Sequence, residues 1–399
     1  MLAGLFALWE TELAVARKPV PITPGVLAWA MEQAGLSRKD LAERLEVKHD
    51  IVDGWLSGES QPGVTEFRRM AELLHRPSAT LLLPSPPKVE ALSVQFRHPP
   101  GAENRLLMPT ERLRLREASR LQRGLRWISQ ELNESVAHLP KLETSDDFDE
   151  VAKTLRRQLG VTALEQASWT SESVAFRSWR AAIERLGIVV LALPMGADSA
   201  RGFSLWDEWV PVIAVNTHWN QAARIFTLFH ELGHLTTRTS SVCQESFADH
   251  HKAKGDDVER WCESFAAAVL LPPNATDAFL VQRFGWDRKQ KISDLSRATA
   301  ISRRFRVSLR AAVLRLIQRG LAEWSLYRAI PHASENKPGG GGGKGRTRPE
   351  ARRDEYGART ASLFRTGLAR DVLGPDEAIG YLNVGDAELP AFLAPSSAA

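Results

Sequence analysis

The stretch FTLFHELGHL, residues 226–235, sets His230 and His234 four apart, with Glu231 beside the first. On a helix, side chains at i and i+4 lie on one face, one turn apart, so both imidazoles can share one ion. Glu231 can then reach a water activated at that ion and take its proton. The alternative is a pair of hydrogen-bonded core histidines. Apolar flanks favour the ion, because ring nitrogens facing an apolar wall need partners. A catalytic zinc site takes three protein ligands and a water. The third would come from a later helix, and DVERWCESFAAAVLLPP offers Glu259 and Glu263, one turn apart. Cys262 in the same run is a soft ligand or a packed small residue.

Several elements must position these groups. IVVLALP reads as a buried strand, and WVPVIAVN as a second. HWNQAARIFTLFHELGHLTT reads as the helix that carries the histidines. The run ending LLPP is a helix stopped by Pro272. RKQKISDLSRATAISRRFRVSLRAAVLRLIQRG supplies two more helices. The strand PVIAVN is expected to offer an edge on which an extended peptide could pair.

Three linked motifs, RGFSLWDEWVPVIAVN, RIFTLFHELGHL and VERWCESFAAAVLLPP, resemble the ImmA/IrrE family of metallo-endopeptidases over roughly residues 170–275. The resemblance implies a zincin-like fold in which His230, His234 and Glu259 bind zinc and Glu231 is the catalytic base. Glu259 takes the third place because it stands six residues before Phe265, where the family glutamate stands. Glu263 falls where the family often has Asn. Two histidines and one carboxylate also accept manganese. The loop between the helices departs from the family and contains His250 and His251, read here as surface histidines.

Upstream, TPGVLAWAMEQAGL has a helical period through Val26, Leu27, Ala30, Met31 and Ala34. SRKDLAERLEV opens on Ser37, a good N-cap, and buries Leu41, Ala42 and Leu45. LSRKDLAERLEVKHDIVDGWLSGESQP resembles the helix-turn-helix of XRE/Cro-type regulators, with Ile51 and Trp55 packing the second helix. That resemblance implies a DNA operator as partner. Lys48 and His49 would meet base edges, and Arg38 and Lys39 phosphates. Asp50 and Asp53 oppose this. Operator binding by such a domain usually means a homodimer.

The fold class expected is multidomain and mainly α: an all-α helix-turn-helix bundle plus an α+β metallopeptidase domain with a small sheet. The expected boundaries are an extension over 1–22, the helix-turn-helix over 23–84 and a helical connector over 85–165, with a long helix near 110–138. The peptidase domain with its following helices takes 166–330. A Gly-rich basic linker over 331–353 and a small helical segment over 354–399 follow. With 399 residues and 43% hydrophobic content, a core needs no disulfide support. Two cysteines suit a reducing cytosol better than secretion. The opening MLAGLFALWETELAVARKP has no basic residues before its apolar run, the reverse of a signal peptide. No run reaches the roughly 18 apolar residues of a membrane span. A net charge of +4 permits nucleic-acid contact without demanding it.

The resulting expectation is a cytoplasmic zinc endopeptidase that cleaves a protein such as a repressor or a toxin partner, in transcription, stress, mobile-element or toxin–antitoxin control. The alternative is a DNA-binding regulator or antitoxin whose peptidase-like domain holds a partner or senses a signal without cutting.

Overall fold

The computed structural model describes residues 19–87, 108–239, 241–243, 257–331 and 347–395, with backbone alone for 241–243. These fall into two compact units. One runs to residue 87 and takes in the start of a long helix as far as Leu113; the other begins at Arg114. The division therefore falls inside the expected connector. The N-terminal extension through residue 18, the glycine run and the His250/His251 loop lie outside the described residues.

The first unit is helical: α1 (Pro24–Ala34), α2 (Arg38–Leu45), α3 (His49–Ser57), α4 (Val64–Leu73) and a 3-10 turn over Ser78–Leu82. Its stops and starts follow sequence chemistry. Gly35 and Gly58 end α1 and α3 in the left-handed conformation that glycine adopts freely. Ser37 and Asp40 form a reciprocal capping box at α2. Val26, Leu27, Ala30, Met31, Leu41, Ala42, Leu45, Val52 and Trp55 are all buried in one core. Ile51 is a correction. It is 40% exposed, and α3 instead packs through Val52 and Trp55. On so short a helix the i,i+3 pair faces the bundle, and Ile51 falls on the solvent side.

The second unit is built on a four-stranded sheet. Its helices are α5 (Pro109–Glu131, shared with the first unit), α6 (Phe148–Leu159), α7 (Ala163–Ser168) and α8 (Glu172–Glu184). Strands β1 (Val189–Leu193), β2 (Gly202–Leu205) and β3 (Val212–Asn216) lead into α9 (Gln221–Thr236). Strand β4 (Ser241–Cys243) and helices α10 (Asp257–Leu270), α11 (Pro273–Phe284), α12 (Leu295–Phe305), α13 (Leu309–Gln318) and α14 (Trp324–Arg328) follow. The long helix stops at Glu131, earlier than its polar–apolar pattern suggested, and Asn133 is left-handed just beyond.

The strand order is β1-β3-β2-β4, with β1 parallel to β3 and the other pairs antiparallel. This corrects the expected role of PVIAVN. β3 is an interior strand with partners on both sides, so it offers no edge. Among the described residues the edges are β1 and β4. At β1, Arg180 donates to the Val190 carbonyl. Helix α15 (Arg348–Ala369) packs along the same strand. That helix also shortens the expected linker. Thr347 and Glu350 make a capping box with proline in the first turn, so helix begins before residue 353.

Helix α9 is buried on every side from Ala222 to Thr236, as expected of a helix enclosed by a core. Strands β2 and β3 pack on it from one side, and α8 and α10 also contact it. Trp179 of α8 stands edge-on to Phe229 of α9, ring centroids 4.8 Å apart, and to Trp169 at 5.2 Å. Among the described residues no single helix is long and apolar enough to cross a membrane.

Candidate metal centre

Helix α9 starts at Asn220, whose side chain accepts from the Ala223 amide at 2.9 Å. The chain enters it from β3 through a buried polar knot. Asn216, 0% exposed, accepts from the amides of Met195 (3.2 Å) and His218 (3.0 Å). It donates to the carbonyls of Gly196 (2.7 Å) and Ala200 (3.0 Å). One amide side chain thus ties the loop after β1 to the loop before α9. Arg224, in the first turn of α9, donates back to the Trp219 carbonyl at 2.7 Å and to that of Thr217. Burial pushes its guanidinium down to about 10. Together Asn216 and Arg224 fix where α9 begins.

Two turns on, His230 and His234 present their Nε2 atoms to each other at 3.1 Å. Glu259 of α10 closes the group, its carboxylate oxygens each 3.1 Å from one of these nitrogens. Both histidines are buried, and these three side chains form a compact set of metal-ligating atoms. The structure brings Glu259 to the two histidines; Glu263, one turn on, is buried but outside the group. Burial pushes the Glu259 carboxyl up, but the facing His234 and hydrogen bonds from both histidines more than offset that. The carboxyl lies well below the usual range, ready to act as an anion.

The donor set fits a divalent ion. Ligand atoms about 2.0–2.1 Å from a tetrahedral ion stand about 3.3 Å apart, close to the 3.1 Å separations here. Two neutral imidazoles and one carboxylate are also ligands that zinc and manganese both take.

Glu231 is fully buried on the same helix. Gly202 of β2 lets the strand lie close against the helix: a Cβ there would stand 2.6 Å from Thr227 Cγ2, with Glu231 Cγ in ordinary contact at 3.6 Å. Gly233 does the same on the α10 side, where a Cβ would lie 3.0 Å from Cys262 Sγ and 3.3 Å from its Cα. Cys262 is thus the contact surface between α9 and α10 rather than a ligand. Gly233→Ala should cost about 1–3 kcal/mol through overpacking and weaken metal binding by pushing Glu259 away. Urea unfolding and a zinc competition assay check it. Unchanged stability would mean the helices separate freely.

The far end of α10 is fixed as firmly. The carbonyls that α10 leaves unpaired are taken up by buried side chains. Arg156 donates to Val269 O (2.7 Å), Gln166 to Leu270 O (3.0 Å) and Arg315 to Leu271 O (3.3 Å).

Residues 183–316 match the family model of the IrrE N-terminal-like domain, a peptidase family, and residues 27–81 match that of a helix-turn-helix. The chain thus joins a region similar to a helix-turn-helix to one similar to the IrrE N-terminal-like domain. No curated protein matches it. The IrrE N-terminal-like match runs from the end of α8 into α13, so it takes in the sheet, the paired histidines and Glu259. A metallopeptidase family of this kind implies a divalent metal.

In the helix-turn-helix domain the four expected DNA-facing residues are exposed. Lys48 and His49 open α3, and Arg38 and Lys39 open α2. Arg38 is paired with Asp53 of α3 at 3.0 Å, and Lys39 lies 3.8 Å from Glu43.

Proposed function

We propose that the chain is a zinc-dependent endopeptidase whose helix-turn-helix binds an operator, and that it regulates transcription by cleaving a protein such as a repressor. The observation that carries this reading is the meeting of His230, His234 and Glu259 beside a buried Glu231. His230 and His234 would hold the ion through Nε2, and Glu259 through its carboxylate. The chemistry such an ion supplies is Lewis acidity, which polarises a scissile carbonyl and eases ionisation of water. Glu231 accepts the proton of the attacking water and passes it to the leaving amine. Full burial of Glu231 strengthens that role, because bulk water does not compete for its carboxylate.

The test compares protein N-termini in cells carrying the wild-type chain or Glu231→Gln. New N-termini that depend on Glu231 support proteolysis. Identical sets favour the other reading, a DNA-binding regulator or antitoxin whose peptidase-like domain holds a partner. Both readings require a cytoplasmic chain, and operator binding implies a homodimer.

For DNA, Arg38 and Lys39 would meet phosphates while Lys48 and His49 approach base edges. The Arg38–Asp53 pair sets an anion against that surface. Asp53→Asn removes the anion and releases Arg38. It should tighten DNA binding several-fold and steepen its salt dependence by about one counterion. Fluorescence anisotropy over a salt series checks this. Unchanged affinity would mean α3 does not face DNA.

A further inference from the structure

The helix that carries both histidines ends in a turn whose residues do more than stop it. Thr237 caps α9, and Arg238 follows with φ +58°. That left-handed region is normally glycine's place at a helix end. The Arg238 amide donates to Leu235 O at 3.2 Å, and the Thr239 amide to His234 O at 2.9 Å. These are the two hydrogen bonds of a Schellman cap. Arginine holds this conformation because its head is anchored. It donates to Leu139 O at 2.9 Å and Leu235 O at 3.1 Å, and lies 3.8 Å from the centroid of the Trp206 ring.

The turn brings the chain back over the last turn of α9. Thr239 Oγ1 comes within 3.1 Å of His234 Nδ1. The same hydroxyl donates to His234 O at 3.1 Å and lies 3.0 Å from Thr237 Oγ1. A hydroxyl whose proton goes to a carbonyl offers only its lone pairs to the ring. With that donor assignment Nδ1 carries the ring proton and donates to the hydroxyl, so that an ion can take the Nε2 lone pair in place of the proton that Glu259 otherwise accepts from the ring. By contrast, His230 Nδ1 has no hydrogen-bond partner among the described residues.

We propose that Thr239 is a positioning residue of the metal centre. Through its hydroxyl it fixes His234 as the Nδ1–H tautomer and presents Nε2 to the ion, with the Arg238 cap holding it in place. This rests on the metal-site reading above, and it adds a residue outside the ligand set.

The test uses the full chain and zinc itself. Zinc affinity is measured by competition with a chromophoric chelator in wild type, Thr239→Val and Thr239→Ser. Valine keeps the shape and loses the hydroxyl; serine restores it. Thr239→Val should weaken zinc binding about 10–100-fold, the usual effect of losing such an outer partner, and Thr239→Ser should stay within about threefold of wild type. In the zinc-loaded protein, nitrogen NMR on labelled histidine should show both ligand rings protonated at Nδ1, with the His234 Nδ1 signal altered in Thr239→Val and the His230 signal unchanged. If Thr239→Val fails to fold, Thr239→Ala takes its place. Equal zinc affinity in wild type and the hydroxyl-free variant overturns the role of Thr239 and leaves the metal centre standing. Absence of zinc binding in wild type overturns both.

Discussion

Glu231→Gln is expected to keep the metal and lose the cleavage. The replacement has the same shape, so the buried site between β2 and α9 has no reason to collapse. Gln cannot accept a proton. A positioned general base contributes about 10²–10⁴-fold, so cleavage should fall by at least the lower figure while bound metal stays level. His230→Ala should lose both, because it removes a ligand. The rate on a substrate found by the N-terminus comparison, alongside metal content, separates the two. Cleavage at wild-type rate by Glu231→Gln would remove Glu231 from the chemistry.

Asn216→Leu is expected to be the most damaging change outside the ligand set. It removes four hydrogen bonds at once and leaves the amides of Met195 and His218 and the carbonyls of Gly196 and Ala200 short of a partner. Each orphaned buried group costs about 1–3 kcal/mol, and not all four are fully buried, so the total should be about 3–5 kcal/mol. Asn216→Asp keeps the acceptor and loses both donors, and should fall between. Urea unfolding gives the size. Metal affinity should fall with stability, because the same loop sets the start of α9. A shift under about 1 kcal/mol would mean that water takes over the knot.

How much of this is legible in the chain varies by element. The histidine pair was readable because its spacing is local to one helix. Glu259 was readable because its distance from Phe265 lies within a second helix. The caps of the first unit, Ser37 with Asp40 and the glycines at 35 and 58, are equally local signals. The sheet was harder. GFSL and SVC, the strands β2 and β4, are too short to show alternation, and their pairing joins residues far apart in sequence. Without β2 in view, β3 looked like an edge. Ile51 misled because two faces of a nine-residue helix are both plausible from spacing alone. The start of α15 was hidden by composition: a glycine run drew attention from the capping box at Thr347. Thr239 could not have been found from spacing. Its place depends on a left-handed arginine, and nothing local in the sequence marks one.

The central claim is that His230, His234 and Glu259 hold one divalent ion. Metal content per chain, by mass spectrometry on gently purified wild type and Glu259→Ala, tests it most directly. About one ion per chain is expected in wild type, with a large loss on removing the third ligand. A wild type without metal, or a Glu259→Ala protein that keeps its ion, would contradict it.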